Sequence, residues 1–182
     1  EVLVETRDVR LSQVVHGRGV DFFEQARGLG LEGVVAKRSA SPYRPGTRSH
    51  DWRKIKALRR QDCVIVGWTP GQGQRGATLG SLLLAVSDGG RLRYAGNVGT
   101  GFTQAFLAEL LPSLVEREVA EPAFEGAPRL RGARFVRPEL VCEVEYLKWT
   151  DDGKLRAASF KGLRPDKLPG DCVREDPVDL PR

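Results

Sequence analysis

The chain has 182 residues, 40% of them hydrophobic, with a formal net charge of +5 and a mean hydropathy of −0.34. This length suits one domain or two small ones, and there is neither an apolar run of the roughly 18 residues that span a membrane nor a signal-peptide pattern. Cys63, Cys142 and Cys172 lie far apart with no Cys-x-x-Cys pair, which argues against structural zinc and a disulfide framework and for a reducing, cytoplasmic setting.

Methionine is absent, so the chain is read as a piece of a larger protein that opens within a sheet. Residues 1–15 alternate like one or two strands. Residues 19–29, "GVDFFEQARGL", read as a helix with Asp21 as N-cap and Gly28 or Gly30 as the stop. "EGVVAKR" is a strand, "SASPYRPGTRSH" a long Ser-, Pro- and Gly-rich loop, and "DWRKIKA" a second strand. In that second strand Trp52, Lys54 and Lys56 share one face, and Arg53 and Ile55 the other.

A boundary is expected near 58–62, which separates residues 1–60 from a second domain at 62–182. "DCVIVGW" is a strand and "TPGQGQRGATLG" a glycine-rich loop. "SLLLAV" and "RLRYAGNV" form a hairpin through "SDGG". The stretch 99–118 is helical, with Thr100 or Thr103 near its start and a break at Pro112. "ARFVRPELVCEVEYLKW" supplies one or two strands, "KLRAASFKG" a last strand after "DDG", and the tail is irregular. Three strands, a helix and two more strands is the order of an OB barrel, a five-stranded Greek-key fold that commonly binds nucleic acid. A generic small α+β domain satisfies the same pattern.

The charge is unevenly spread. Residues 1–61 hold 13 Lys/Arg against 7 Asp/Glu, a balance of +6, whereas residues 62–182 balance at −1. Within 37–60 nine basic residues stand against one acid, Asp51. A solvated loop would explain the cations, but Tyr43, Trp52 and Ile55 interrupt the block, which points to a phosphate partner instead. Glu32 could hold a hard cation, and Lys37, Lys54 and Lys56 could neutralise a phosphoryl group in a charged transition state. Arg156, Lys161, Arg164 and Lys167, with the lone acid Asp166, form a second basic cluster near the C-terminus. Its plain alternative is a strand edge guarded against aggregation.

Other chemistries find little support. "GQGQRGAT" lacks the Lys of a P-loop, and leaves Arg75 as a loop-tip contact for phosphate. His16 and His50 have no ligand-spaced neighbours. No Gly-x-Ser-x-Gly or Ser/His/Asp grouping is present.

These segments resemble the ATP-dependent DNA ligases of the covalent nucleotidyltransferase superfamily. "LEGVVAKR" is similar to nucleotidyltransferase motif IV, "DWRKIK" to motif V and "FKGLRPDK" to motif VI. "SPYRPGTRSHDW" and "GSLLLAV…GRLRYAGNVGTGF" look closest to the ligase domain of bacterial non-homologous end-joining ligases. The resemblance implies a mostly β, α+β chain: the C-terminal part of an adenylation (nucleotidyltransferase) domain over 1–60, followed by an OB-fold β-barrel over 62–182. It implies ATP and Mg²⁺ (or Mn²⁺) as cofactors, nicked or broken duplex DNA as substrate, and end-joining polymerase or end-binding proteins as further partners.

In that family a lysine attacks ATP to give lysyl-AMP, AMP passes to the DNA 5′-phosphate, and the 3′-hydroxyl displaces it. The resemblance gives Glu32 to the metal, Lys54 and Lys56 to the AMP phosphate and Lys37 to the same pocket wall. Arg164, Asp166 and Lys167 would close over the triphosphate, while Arg44, Arg48, Arg75, Arg156 and Lys161 would meet DNA. Two departures stand out. None of the seven lysines is followed by x-Asp-Gly, the family's nucleophile motif, so this chain is expected not to adenylate itself. Ala158 stands where this subfamily usually has proline. A non-catalytic OB module and an RNA ligase or mRNA-capping enzyme are the competing readings. Motif VI speaks against the first, and the 41–52 loop against the second.

Overall fold

The computed structural model describes residues 6–9, 11, 14–71 and 79–175. The chain divides between Ala57 and Leu58 into two compact units.

The first unit holds helix α1 (Gly19–Gly28) and strands β1 (Gly33–Lys37) and β2 (Trp52–Lys56). Of the stretch 1–15 expected to form one or two strands, residues 1–5, 10, 12 and 13 lie outside the described residues; those described are not in a strand, Thr6 and Val9 closing a turn, with Val9, Leu11, Val14 and Val15 exposed. Asp21 is not the N-cap of α1, since that position is Arg18. Asp21 lies inside the first turn, where its carboxylate faces the positive end of the helix dipole. The helix ends at Gly28, one of the two expected stops, and Gly30 follows at a φ of +71°, its N–H donating to the Arg27 carbonyl at 3.0 Å.

β1 and β2 pair antiparallel, with Gly33 opposite Lys56, Val35 opposite Lys54 and Lys37 opposite Trp52. Gly33 is obligatory here. Its φ is +137°, and a Cβ added to it would lie 2.1 Å from the Ile55 carbonyl oxygen. The loop between the strands is held at its base by Asp51. Its carbonyl accepts the Arg38 N–H at 2.9 Å, its carboxylate pairs with the Arg38 guanidinium at 3.4 Å, and its Oδ2 accepts the Ser49 hydroxyl at 3.0 Å.

The second unit is the barrel. β3 (Arg59–Pro70), β4 (Leu79–Asp88) and β5 (Arg91–Val98) form a meander. Helix α2 (Gln104–Val115) and the short β6 (Glu118–Val119) follow. Next come β7 (Arg134–Tyr146), β8 (Lys148–Trp149), β9 (Leu155–Arg156) and β10 (Ser159–Leu163). The sheet order is β10-β7-β3-β4-β5, so the fourth main strand pairs back onto the first, as an OB-type Greek key requires. The two ends meet where the Phe160 N–H donates to the Thr100 carbonyl at 2.9 Å. Gly101 makes that closure possible, because at its φ of +92° a Cβ would stand 2.2 Å from the Phe160 carbonyl oxygen.

Cys63, Ile65, Leu82, Leu84, Cys142, Val144 and Tyr146 alternate into one core with Leu107, Leu110 and Leu114 of α2. Val64, Val66, Leu83, Ala85 and Val141 bury the opposite face, together with Cys172. Burial on both faces explains why "CVIVGW" and "LLLAV" read as unbroken apolar runs. The described part of the tail is anchored as far as Glu175. Buried Gln61 donates to the Val173 carbonyl at 2.9 Å, and its Oε1 accepts the Glu175 N–H at 2.9 Å.

Thr103 caps α2, its hydroxyl accepting the Phe106 N–H at 3.2 Å. Pro112 lies inside the helix and does not break it. It removes only the donor owed to the Ala108 carbonyl, and fully buried Leu114 holds the last turn in place. Among the described residues no helix is long and apolar enough to cross a membrane.

The last strand is split in two by Ala157, a non-glycine residue at a φ of +56°. Ala157 is exposed, so Ala157→Gly should relieve left-handed strain without loss of packing. The expected gain, after glycine's extra unfolded-state entropy, is about 0.5–1 kcal/mol in urea denaturation.

Candidate phosphate-binding sites

The β1–β2 register decides which side chains of the first unit act together. Directly opposed residues share a face, so Lys37, Trp52, Lys54 and Lys56 all project from one side, with Val35 and Gly33 between them. Trp52, Lys54 and Lys56 line an open cavity of about 790 Å³ with Tyr43, Arg44 and Arg48 of the preceding loop. Among the described residues no carboxylate lines it. Lys37 is not part of the lining. Its Nζ lies 4.4 Å from the Trp52 ring centroid, and the Tyr43 ring stands 5.7 Å from Trp52 on centroids. A cation over an indole face is worth about 0.5–1 kcal/mol at such exposed sites, so Lys37 steadies Trp52 and adds charge to the rim.

Glu32 is outside this group. It precedes the Gly33 kink, is exposed, and its carbonyl accepts the Ala57 N–H at 3.0 Å. Among the described residues no three or more of His, Cys, Asp and Glu are grouped to hold a metal ion. One carboxylate falls short of the oxygen set a hard divalent cation takes. These residues therefore do not make a metal site by themselves.

In the second unit β10 and the residues after it carry Arg164, Asp166 and Lys167 together. The Arg164 N–H donates to the Val141 carbonyl at 2.8 Å, which fixes the start of the turn. Its guanidinium grips Asp166 with both Nε and Nη2, at 2.9 and 2.8 Å. Nη1 donates to Asp62 at 3.0 Å and lies 3.7 Å from Glu143. Lys167 Nζ stands 3.8 Å from Asp62, and Arg60 pairs with Glu143 at 3.0 Å. Lys161 pairs with a different carboxylate, Glu145, at 3.3 Å. Arg156 lies on the short β8–β9 ladder opposite Lys148. Arg75 falls outside the described residues.

Hydrogen bonding from Arg164 lowers the Asp166 carboxyl from its ordinary value of 3.8 to about 2. A depressed carboxyl contributes stability that is fully present above the unfolded value and lost as pH falls from about 4 through 2. Titration of Asp166 followed by NMR should show a midpoint near 2, and Arg164→Ala should return it to the ordinary carboxylate range.

The sequence did not single out Asp62 or Glu143. They stand 81 positions apart and become neighbours only through the β3–β7 register, which sets Asp62 opposite Glu143.

Comparison with known proteins bears on both clusters. Residues 8–56 match the family described as ATP dependent DNA ligase domain, and residues 75–167 the ATP dependent DNA ligase C terminal region. The chain belongs to the ATP-dependent DNA ligases. This ligase chain is 40% identical over 178 residues to the multifunctional non-homologous end joining DNA repair protein LigD of Mycobacterium tuberculosis, covering 96% of this chain and 24% of that protein. It thus spans about a quarter of the length of such curated relatives. The crystal structure of the ligase domain from M. tuberculosis LigD aligns with a TM-score of 0.62 at 43% identity, over 84% of this chain and 50% of that one. A mycobacterial DNA ligase D complexed with ATP and MES aligns with a TM-score of 0.58 at 42% identity, over 84% and 50%.

Proposed function

We propose that this chain carries the C-terminal share of an ATP-dependent DNA ligase that seals nicks or breaks in duplex DNA, with residues 1–60 serving adenylation and 62–182 forming the OB domain. The observation that supports it most is the hairpin face: Lys54 and Lys56 stand side by side above an acid-free cavity edged by Arg44, Arg48, Tyr43 and Trp52. Phosphoryl and nucleotidyl transfer ask little covalent chemistry of the protein beyond positioning and neutralising charge. Lys54 and Lys56 hold the α-phosphate of the adenylate, as compact cations on a paired strand whose direction is fixed by Gly33. Arg44 and Arg48 receive the DNA phosphate that must approach the same centre. Tyr43 and Trp52 offer flat apolar faces, with Lys37 braced on Trp52.

Arg164, Asp166 and Lys167 meet the triphosphate of ATP, and Arg156, Lys161 and Arg75 the DNA backbone. Glu32 is the carboxylate the reading gives to Mg²⁺ or Mn²⁺, and among the described residues no three of His, Cys, Asp and Glu are grouped to hold such an ion.

Incubation with labelled ATP tests the reading. Alone, the chain should acquire no protein-linked AMP, because it has no Lys-x-Asp-Gly lysine. Mixed with a segment that supplies that lysine, the pair should become labelled. Label on the chain alone, or none on the pair, would contradict the assignment. Binding of the chain to nicked duplex should also weaken steeply with salt, with log K falling by about 0.9 per phosphate contact for each unit of log[salt].

A further inference from the structure

We propose that Asp62 and Glu143 act as an internal phosphate mimic, holding Arg164 and Lys167 in a resting ion-pair array that an incoming triphosphate must displace. The inference rests on the reading that motif VI meets ATP.

Asp62 and Glu143 face each other directly across β3 and β7, a placement in which two like charges repel unless a cation lies between them. Arg164 Nη1 is that cation, 3.0 Å from one carboxylate and 3.7 Å from the other. The remaining nitrogens of the fork, Nε and Nη2, are taken by Asp166, so every guanidinium nitrogen already faces a carboxylate. A planar fork that fits two carboxylate oxygens fits two phosphate oxygens equally well. The array therefore occupies the geometry through which Arg164 would grip a triphosphate.

The pairs are also sheltered. Side-chain exposure is 15% for Asp62, 20% for Glu143 and 29% for Arg164, so screening by salt is weaker here than at the open surface. Lys167, 3.8 Å from the other Asp62 oxygen, is drawn to the same acid. When Arg164 turns to phosphate, Asp62 loses its nearest cation, while Glu143 keeps Arg60 at 3.0 Å. Binding of ATP is thus an exchange of anions at Arg164 Nη1, where Asp62 is the nearer competitor, while Asp166 holds the other two nitrogens of the fork.

The test uses a ligase that joins these residues to a Lys-x-Asp-Gly segment. The ATP concentration for half-maximal self-adenylation is measured beside the sealing of a pre-adenylated nick. Asp62→Asn should lower the half-maximal ATP concentration roughly three- to tenfold. Glu143→Gln should act in the same direction but less, and Asp62→Glu should stay close to the parent. Sealing of the pre-adenylated nick, which needs no triphosphate, should be unchanged in Asp62→Asn. In an Arg164→Ala/Lys167→Ala background, Asp62→Asn should have no further effect.

The proposal is overturned if folded Asp62→Asn and Glu143→Gln leave the ATP dependence unchanged or raise it. It is equally overturned if the Asp62→Asn shift persists when both Arg164 and Lys167 are replaced, because the effect would then be a general loss of negative charge. If Arg164→Ala itself leaves ATP dependence untouched, the assignment of motif VI to the triphosphate fails, and the competing acid fails with it.

Discussion

Lys54→Ala and Lys56→Ala are each expected to slow AMP transfer and nick sealing by about 10²–10³-fold, the usual effect of removing one preorganised group that faces developing charge. Both side chains are exposed on β2, so the thermal stability of the protein should shift by no more than about 0.5 kcal/mol. That combination is the signature of a site residue. Loss of a merely solvated lysine would move neither quantity, and loss of a packing residue would move both. Lys54→Arg should recover only part of the rate, because a planar fork on a longer reach is not equivalent to a compact ammonium. Single-turnover sealing by each variant, beside a denaturation curve, reads both quantities.

Gly33→Ala should be the most damaging small substitution in the first unit. The backbone there sits in a region that is essentially restricted to glycine, which alone costs about 1–3 kcal/mol for alanine. The added methyl would also lie 2.1 Å from the Ile55 carbonyl oxygen and 2.9 Å from Lys56 Cα, and neither is the end of a flexible side chain. Relief requires β1 and β2 to part where Lys56 is held. Activity should therefore fall together with a lowered melting temperature of the first unit, whereas Val35→Ala, exposed on the same face, should change stability little. Calorimetry on both variants separates the two outcomes.

The elements that could be read from the chain are those with a local signal. The Lys54 and Lys56 face follows from strand alternation, and the pairing of β1 with β2 adds Lys37 to it. The order of three strands, a helix and two strands suggested an OB barrel, and the β10-β7-β3-β4-β5 order matches that topology. The sequence leaves Thr100 or Thr103 near the start of α2, and the fold makes Thr103 the cap. What stayed hidden depended on distant partners or on backbone geometry. Pro112 looked like a stop, but burial of Leu114 outweighs the one lost hydrogen bond.

The same limit applies to the sites. Strict alternation along "EGVVAKR" would set Glu32 and Lys37 on opposite faces, but it holds only where the strand is regular, and it lapses at the Gly33 kink. The resemblance gives Arg44 and Arg48 to DNA, and the fold of the 38–51 loop, which alternation cannot foretell, brings them to the same cavity as Lys54 and Lys56. Asp62 carried no signal at all, since its partners Arg164 and Lys167 lie about a hundred residues on and reach it through strand pairing. Motif VI was recognisable as a string of charges. That its arginine rests on three carboxylates was not.

The most direct measurement of the central claim is nick sealing by reconstitution. This chain, a segment carrying the Lys-x-Asp-Gly lysine, ATP and a duplex with one labelled 5′-phosphate nick are mixed, and the product is separated on a denaturing gel. A full-length labelled strand should appear only when both protein components and ATP are present, and should be lost with the Lys54→Ala chain. A pair that binds the nicked duplex yet leaves it unsealed would contradict the account and leave only a DNA-binding module.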